Sequence, residues 1–505
     1  MRALAIDAGT TLVKAVVFDD NGTALATERR PVPVERRCPG FAEQDMAAVW
    51  AQAVDAARAA LAAAGGTVGA ITITAQGDGC WLIDAQGRPT GPAILWSDSR
   101  AEDVVATWAA DGVLERAFGV NGTLVFPGLP NAILHWLSAH EPDRLAASAH
   151  ALTCGGWLFR CLTGTVVAER SDASAPFLDL STGEYSDTLL ELFGLPWART
   201  LLAPVSDWAD CVAGLSLDAA DSLGLPADAP VVLAPYDVAA CAIGVGAIEP
   251  GDAWSILGTT LCTGIAAGST TTTVGGLTLT VGGGVPPLRA FATLCGTDVL
   301  QWSKRILGID SVPQLVDSAA ESPAGANGLV FLPYLSTAGE RAPFRDTRAA
   351  GSLHGISLLH TRADVARAVV EGLSMAVRDC LTAAVGTAPV TGLRVTGGGA
   401  NSDLWCRLLA QTAGTPVLRS ADGETGAKGA YLCALVATGT VPTIGDAVAE
   451  YVHVEVVGEP EPAAVQRYDD LYAEYLSVRE NARATWATTT AASRAAAPTG
   501  RRDAL

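Results

Sequence analysis

The tetrapeptide Gly-Thr-Thr-Leu occurs twice in the chain, at residues 9–12 and again at residues 258–261. Each copy lies between two short apolar runs, in "LAIDAGTTLVKAVVF" and in "AWSILGTTLCTG". Two apolar runs joined by a glycine-containing turn predict a pair of strands. Because the same unit returns in the second half of the chain, we expect two lobes that begin alike.

Size and charge narrow the classes of protein that this chain can belong to. A length of 505 residues is too great for one ordinary core, and 49% hydrophobic residues with 17% charged residues are typical of a globular protein. The formal net charge of -20 argues against a nucleic-acid or membrane partner, because both bind basic surfaces. The eleven cysteines show no metal-site or disulfide spacing, and the amino-terminal stretch does not resemble a signal peptide, so we expect a cytoplasmic location.

The order of the predicted elements indicates alternating α/β architecture in both halves. Three short strands open the chain, and the "DDNG" turn joins the second strand to the third as a hairpin. Helical periodicity predicts helices at 46–64, 362–385 and 403–413, and "LPNAILHWLSAHEPDRL" is the clearest amphipathic segment of a largely helical stretch. The segments "AITITA", "CWLIDAQGRPT" and "GLRVT" are predicted strands. We place the first lobe at residues 1–247, the second lobe at 248–490 and a frayed, low-complexity tail at 491–505.

The repeated turn has the composition of a phosphate-binding loop. Its tip presents consecutive backbone N–H groups and two hydroxyls, and glycine allows close approach of the backbone. Two such tips that face each other would bind the phosphates of one nucleotide across a cleft, although either copy taken alone could be simply a tight turn. Asp7 and Lys14 flank the first copy, where Asp7 could hold Mg²⁺ through water and Lys14 could neutralise phosphate charge.

At this point the chain resembles the FGGY family of carbohydrate kinases, which share the fold of actin, hexokinase and the Hsp70 ATPase domain. The resemblance implies an α/β fold of two actin-like (ribonuclease H-like) ATPase lobes around a central cleft, with ATP, Mg²⁺ and a small sugar or polyol as ligands. It also allows a homodimer, although no part of the sequence marks an interface. The matching motifs stand in family order over residues 4–439: "DAGTTLVKAVVFD", "PGFAEQDMAAVW", "AQGDGCWLID", "AILWSDSRA", "LTGTVVAERSDAS", "APYDVAACAIGVGAIEPG", "LGTTLCTG", "FLPYLSTAGERAPFRDTRAAG", "VEGLSMAVRD", "TGGGANSDLW" and "ETGAKGAYLCALVATG".

The resemblance implies roles for individual residues. The general base is expected in "APYD", at Asp237, which without the motif could be a turn acid or a helix cap. Asp7 and Asp237 are the expected metal-binding residues. A strand that runs into glycines lets the backbone pass beneath a flat base, so adenosine is expected beside "TGGGAN". The residues expected to bind nucleotide are Gly9, Thr10, Thr11, Lys14, Gly258, Thr259, Thr260, Gly296, Gly398, Gly399 and Ala400.

The sugar is expected at "AQGDG", where Gln76 and Asp78 flank Gly77 and can bind hydroxyls. Xylulose kinases carry Met-His at 77 and 78 and glycerol kinases carry Arg-Glu, whereas this stretch is similar to the "QGDG" of erythritol kinases and the "AQGKG" of L-xylulose kinases. Asp98 and Arg100 match a motif that lines the sugar cleft in the family, or they form a buried ion pair that joins two strands.

Several further positions have two interpretations. Glu43 and Asp45 could reach the sugar, yet Asp45 could also cap the following helix. Trp81 and Trp96 could stack on a sugar or belong to the core, and the core is favoured for Trp81. Val238 stands where many relatives have Asn or Gln, which removes one hydroxyl contact.

Together these features predict an ATP-dependent kinase that transfers the γ-phosphate to a hydroxyl of a small ketose or polyol. The alternative is an actin-like or chaperone-like nucleotide-switch ATPase, which has no need of "AQGDG", "WSDSR" and Asp237 together. A sugar-sensing regulator is a third possibility, but the chain has no basic helix-turn-helix segment to contact DNA.

Overall fold

The computed structural model describes residues 1–268, 275–385 and 389–486, so the tail predicted at 491–505 lies outside the described residues. The strands of the first half are β1 (Ala3–Ala8), β2 (Leu12–Phe18), β3 (Ala24–Pro31), β4 (Glu43–Gln44), β5 (Ala70–Ala75), β6 (Trp81–Ile83), β7 (Ala93–Ile94), β8 (His150–Leu152), β9 (Ala168–Glu169), β10 (Val205–Ser206), β11 (Val212–Gly214) and β12 (Pro230–Leu233). Its helices are α1 (Met46–Ala64), α2 (Glu102–Ala110), α3 (Val113–Asn121), α4 (Pro130–His140), α5 (Pro142–Ala147), α6 (Cys154–Thr163), α7 (Arg170–Phe177), α8 (Asp187–Leu192), α9 (Leu217–Leu223) and α10 (Asp237–Gly244).

The second half follows the same alternation of strands and helices. Its strands are β13 (Asp252–Leu257), β14 (Leu261–Ala266), β15 (Leu277–Leu279), β16 (Leu288–Ala292), β17 (Val330–Leu332), β18 (Ser352–His354), β19 (Gly392–Thr396), β20 (Val417–Ser420) and β21 (Val454–Gly458). Its helices are α11 (Thr297–Leu307), α12 (Val312–Ala320), α13 (Arg362–Val385), α14 (Asp403–Ala413), α15 (Thr425–Ala437), α16 (Ile444–Tyr451) and α17 (Pro462–Trp486). Short 3-10 helices are formed by Pro196–Leu201, Ala326–Gly328 and Gly398–Asn401.

Each half builds one large mixed sheet, and the repeated turn occupies the same place in both. The first sheet has the order β11-β12-β5-β1-β2-β3, in which β1 pairs antiparallel with β2 and parallel with β5. The second sheet has the order β15-β16-β14-β13-β19-β20-β21, in which β13 pairs antiparallel with β14 and parallel with β19. The expectation that the two halves begin alike is therefore confirmed at the level of strand pairing.

Helices α10 and α15 lie between the two sheets and cross each other at glycines. The core cluster that contains both helices also takes in residues of β1 and β2 from the first sheet and of β14 and β16 from the second. A Cβ added at Gly429 of α15 would lie 1.9 Å from the carbonyl oxygen of Ala240 in α10, and one at Gly244 would lie 1.9 Å from the carbonyl oxygen of Thr425. Only glycine permits this backbone contact, which joins the two halves.

Other helices cover the outer faces of the sheets. Helices α1, α6 and α9 pack with the first sheet in one apolar cluster, and α11 to α14 with α17 do the same for the second sheet. Helices α2 to α4, together with parts of α7 and α8, form a separate core beside the first sheet. In the part of the chain that the structure describes, no helix has the length and apolar character needed to cross a membrane.

The local predictions differ in outcome. The helices predicted at 46–64, 362–385 and 403–413 are confirmed. The strand predicted for "CWLIDAQGRPT" is wrong beyond Ile83, because the Asp84 carboxylate accepts hydrogen bonds from the backbone N–H groups of Gln86 and Arg88 and closes a turn. Residues 245–251 connect α10 to β13, and we propose this connection as the boundary between the lobes.

Candidate active site

A cleft of about 750 Å³ lies between the two halves, and both Gly-Thr-Thr turns line it. The first turn joins β1 to β2 and is closed by a hydrogen bond of 3.0 Å from Gly9 N to Leu12 O. The second turn joins β13 to β14, and the side chain of Thr259 is exposed at its tip. Two sets of backbone N–H groups and hydroxyls therefore face one cavity from opposite sides.

A cation and two carboxylates stand beside the first turn. Asp7 and Lys14 are opposite each other in the β1–β2 ladder, and Lys14 Nζ lies 3.3 Å from Asp7 Oδ2. Lys14 Nζ also lies 3.0 Å from Oε2 of Glu424, the residue that directly precedes α15. Arg29 forms an ion pair with the same glutamate. The carboxylates of Asp7 and Glu424 raise the pKa of Lys14 against the effect of burial, so its charge is secure.

Asp237 is the first residue of α10 and lines the same cleft. Burial, and then the nearby charge of Asp7, raise the pKa of Asp237 from 3.8 to about 8. Two carboxylates in mutual repulsion fit a divalent cation, which would relieve that repulsion. Mg²⁺ keeps several waters and takes one or two carboxylates, so Asp7 and Asp237 are a sufficient number of protein ligands for this ion.

A hydrogen-bonded network ties the first turn to the predicted sugar site. The Thr10 hydroxyl donates to Gln76 Oε1 at 2.9 Å and accepts from Trp96 Nε1 at 2.9 Å. Gln76 Nε2 in turn donates to Gln44 Oε1 at 2.9 Å, and Gln44 Nε2 donates to the Thr10 carbonyl at 2.6 Å. The Thr10 hydroxyl is therefore engaged on the sugar side, whereas Thr11 is exposed to the cleft.

Gly77 and Asp78 have unusual surroundings. A Cβ at position 77 would lie 2.4 Å from Cδ2 of Tyr236, so the tyrosine ring fills the space that a side chain at 77 would need. Asp78 has a left-handed backbone with φ of 58°, and its side chain lines the cleft. Burial raises the pKa of Asp78 to about 7, and the charge of Arg341 opposes that rise.

Comparison with known proteins identifies the family. Residues 2–244 match the N-terminal domain of the FGGY family of carbohydrate kinases, and residues 253–438 match its C-terminal domain. This chain is an FGGY carbohydrate kinase. It is 32% identical to the erythritol kinase of Brucella abortus (94% of this chain, 95% of the relative) and 31% identical to the L-xylulose/3-keto-L-gulonate kinase of Escherichia coli (94% and 95%). The crystal structure of a xylulose kinase from Lactobacillus acidophilus superimposes with a TM-score of 0.91 at 22% identity, covering 97% of this chain and 100% of that one.

These findings confirm the expected fold of two actin-like lobes and the expected reaction class. The FGGY kinase is a phosphotransferase that acts on an alcohol group, with ATP and a carbohydrate as its substrates. The nucleotide-switch alternative is not favoured by any of these matches.

Asp98 and Arg100 form a buried ion pair in this FGGY kinase and are not among the residues that line the cleft, so their binding of sugar stays a prediction. Their side chains are 0% and 1% exposed, with Arg100 Nη2 2.9 Å from Asp98 Oδ2 and 2.7 Å from Glu43 Oε1. Asp98 Oδ2 also accepts from the backbone N–H of Ala42 at 2.7 Å. Since β4 pairs with β7, this ion pair holds the two strands together, which is the structural interpretation of the motif.

The other positions with two interpretations are also placed. Asp45 caps α1 by accepting from the backbone N–H groups of Ala47 and Ala48, and Trp81 is a core residue at 1% exposure. Trp96 and Val238 line the cleft.

The glycines predicted to bind adenosine lie next to the cleft rather than along its wall. Because β13 and β19 run parallel, the loop of Gly398, Gly399 and Ala400 leaves the sheet at the same edge as the second turn. Gly398 has open space beside it, whereas a Cβ at Gly399 would meet the ring of Trp405 at 2.4 Å. A Cβ at Gly296 would lie 2.6 Å from Gly258 O, so Gly296 supports the second turn from beneath.

Two arginines of the second half reach the site and were missed by sequence reasoning. Arg341 and Arg345 follow β17 in "GERAPFRD", and both line the cleft. Arg345 pairs with Glu102 of α2, in the first half. The segment stood out as a family motif, but nothing in its spacing indicates which arginine would face the cleft, because the first-half residues that contact them, Trp96, Glu102 and Phe126, lie more than 200 residues away.

Proposed function

We propose that this FGGY kinase transfers the γ-phosphate of ATP to a hydroxyl of a small ketose or polyol of the xylulose, L-xylulose or erythritol type. The observation that carries the proposal is the meeting of three groups in one cleft: the two Gly-Thr-Thr turns, the carboxylate of Asp237 and the polar pair Gln76 and Asp78. The names of the relatives support the substrate class, since they include an erythritol kinase, a xylulose kinase and a kinase named for L-xylulose, although the last is also named for the sugar acid 3-keto-L-gulonate.

In the proposed reaction Asp237 is the general base. It accepts the proton of the acceptor hydroxyl as the hydroxyl oxygen attacks the γ-phosphorus, and the bond from that phosphorus to the bridging oxygen breaks to release ADP. Lys14 and the backbone N–H groups of the two turns hold phosphate oxygens and offset their charge. The remaining contribution of the protein is to position the reactants, because phosphoryl transfer requires little covalent participation.

Asp7 and Asp237 are the proposed Mg²⁺-binding residues, and the bound ion would neutralise charge on the phosphates. Their mutual electrostatic repulsion supports this assignment. We assign adenosine to the loop of Gly398, Gly399 and Ala400, supported by its position at the sheet edge of the second turn. A homodimer and a cytoplasmic location stay predictions from the sequence.

A coupled ADP-release assay tests the proposal. The panel contains L-xylulose, D-xylulose, L-ribulose, D-ribulose, erythritol, D-threitol, xylitol, glycerol and D-gluconate, each with Mg-ATP and each with a no-acceptor blank. One strong responder among the neutral ketoses or polyols supports the proposed function and identifies the acceptor. No response across the panel from protein that still binds ATP would contradict the proposed substrate class.

A further inference from the structure

Arg341 belongs to the second half, lines the cleft and is held by contacts with both halves. Its Nε donates a hydrogen bond of 2.8 Å to the carbonyl of Ala292, at the end of β16. Its guanidinium carbon lies over the rings of Trp96 and Phe126, at 5.0 Å and 4.9 Å from their centroids. Stacking on two aromatic faces and one hydrogen bond fix the plane of the guanidinium.

The terminal nitrogens of Arg341 remain available for a ligand. Among the residues that the structure describes, neither Nη atom has a hydrogen-bond or ion-pair partner, although the side chain lines the cleft. A guanidinium has five N–H donors and no hydrogen-bond acceptor. A guanidinium that faces the cleft therefore binds a ligand through an acceptor atom, such as a hydroxyl or carbonyl oxygen. The segment that carries Arg341 is anchored nearby by the ion pair between Arg345 and Glu102.

Asp78 faces the same space with the opposite hydrogen-bonding character. Its carboxylate lines the cleft and has no hydrogen-bond or ion-pair partner within the described ranges, Arg341 included. Burial is the largest influence on both pKa values: it raises that of Asp78 and lowers that of Arg341. The two groups also interact electrostatically, because the charge of Arg341 lowers the pKa of Asp78 and Asp78 raises the pKa of Arg341. An acceptor group and a donor group are thus set across a gap that neither closes.

Negative charge exceeds positive charge beside this gap. Arg345 is engaged by Glu102, and Arg36 is exposed to solvent. Glu340 accepts hydrogen bonds through Oε1 from the backbone N–H groups of Leu294, Arg341 and Ala342, which satisfies that carboxylate oxygen. The sugar end of the cleft therefore presents the guanidinium of Arg341 and two carboxylates, those of Asp78 and Asp237, which would repel an anionic acceptor.

We propose that Arg341 is an acceptor-binding residue that determines specificity together with Asp78, and that this pair selects an uncharged ketose or polyol over a sugar acid. One acceptor hydroxyl donates to the Asp78 carboxylate, while a neighbouring hydroxyl or carbonyl oxygen accepts from Arg341. A carboxylate on the acceptor would face Asp78, and like charges in a partly desolvated cleft repel strongly. This inference rests on the proposed function and extends it to a residue and a substrate class.

Kinetics of variants at the two positions test the pair. In Arg341→Met the flexible side chain keeps contact with the two aromatic rings but loses every donor, and we expect KM for the neutral acceptor to rise ~10-fold to 100-fold. KM for ATP should stay within about threefold, and Arg341→Lys should recover part of the loss because one donor and the charge return. Arg348→Met is the matched control, since Arg348 lies on the same segment and pairs with Asp346.

Asp78→Asn provides the sharper test because it removes the carboxylate that would repel an acidic acceptor and leaves the donors of Arg341 in place. We expect kcat/KM for the best neutral acceptor to fall, and the ratio of kcat/KM for the matching aldonic acid to that of the neutral acceptor to rise at least ~10-fold over wild type. Acceptor binding should also be measured by calorimetry without ATP, which reports on the pair independently of turnover.

The outcomes separate the two claims. A wild-type enzyme that phosphorylates a neutral acceptor, with Arg341→Met and Arg348→Met indistinguishable in acceptor KM, overturns the inference and leaves the proposed function intact. A wild type that prefers D-gluconate, or an Asp78→Asn variant with an unchanged acid-to-neutral ratio, also overturns the inference. A wild type that neither binds nor phosphorylates any acceptor of the panel overturns the proposed function itself.

Discussion

Replacing Asp237 with asparagine should affect activity and stability in opposite directions. As the proposed general base, the carboxylate would lower the barrier by accepting the acceptor's proton, and loss of such a group typically costs about 10²-fold to 10⁴-fold in rate. This corresponds to about 2.7–5.4 kcal/mol in the activation free energy. Nucleotide binding should persist, because the two turns and Lys14 remain in place.

The effect on stability follows from the raised pKa of Asp237. Between its ordinary value of 3.8 and its value of about 8 in the folded chain, the folded state binds more protons at this group than the unfolded state does. The free energy of unfolding therefore decreases as pH rises through this window. An asparagine side chain cannot ionise, so Asp237→Asn should be stabilised relative to wild type by a margin that grows from pH 4 to pH 8 and is then constant. Because the cleft admits water, we expect on the order of 1–2 kcal/mol at the plateau.

The assay combines initial rates with thermal unfolding of the protein without ligands. The melting temperature of Asp237→Asn should match that of wild type near pH 4.5 and exceed it at pH 8.5. Asp98→Asn is the matched control, because it breaks a buried ion pair and should lower the melting temperature at both pH values. An Asp237→Asn protein with wild-type turnover, or one with a lower melting temperature at pH 8.5, would refute the assignment of a desolvated catalytic carboxylate.

Three further substitutions address the turns and the contact between the halves. Thr259→Val should raise KM for ATP far more than KM for the acceptor, and an equal rise in both would contradict phosphate binding by both turns. Glu424→Gln removes the carboxylate shared by Lys14 and Arg29 and should lower the free energy of unfolding by about 1 kcal/mol in urea titrations, whereas an unchanged midpoint would show that these ion pairs contribute nothing. Gly429→Ala should lower the free energy of unfolding by about 1–3 kcal/mol, because the added Cβ meets a backbone carbonyl, and this cost exceeds the gain from the better helix propensity of alanine. Gly423→Ala is the control and should not destabilise the protein, because a Cβ there meets nothing within 4 Å. Similar melting temperatures for the two variants would count against the glycine crossing.

Local sequence patterns were sufficient to predict the two similar strand pairs and the long helix of the second half. The Gly-Thr-Thr repeat between apolar runs predicted two similar strand pairs, and both occupy equivalent places in their sheets. The long helix Arg362–Val385 was predictable because helical periodicity persists over many turns. Asp7 and Lys14 were predictable neighbours as well, since residues on both sides of a tight hairpin turn face each other across the ladder.

Local patterns could not predict all of the residues that line the cleft beside Gln76 and Asp78. "WSDSR" contains Asp98 and Arg100 two residues apart, and either a cleft position or an internal ion pair is compatible with that spacing. The internal ion pair depends on Glu43, whose carboxylate contacts Arg100 only because β4 pairs with β7. That pairing joins distant segments and cannot be read from the local sequence. Arg341 and Tyr236 were missed for a related reason, because their contacts with Trp96 and Gly77 join segments that are far apart in the chain.

The position of the catalytic groups depends on the contact between the halves. Asp237 is the first residue of α10, and the partner helix α15 begins directly after Glu424, which pairs with Lys14. The first turn of α15 also approaches the other carboxylate, since a Cβ at Gly426 would lie 3.2 Å from Asp7 Oδ2. Because α10 and α15 cross in backbone contact, a displacement of one helix would move the proposed base, Asp237, relative to Lys14. If Asp237 removes the proton and Lys14 holds phosphate as proposed, the glycine crossing sets the distance between them, and Gly429→Ala should lower turnover as well as stability.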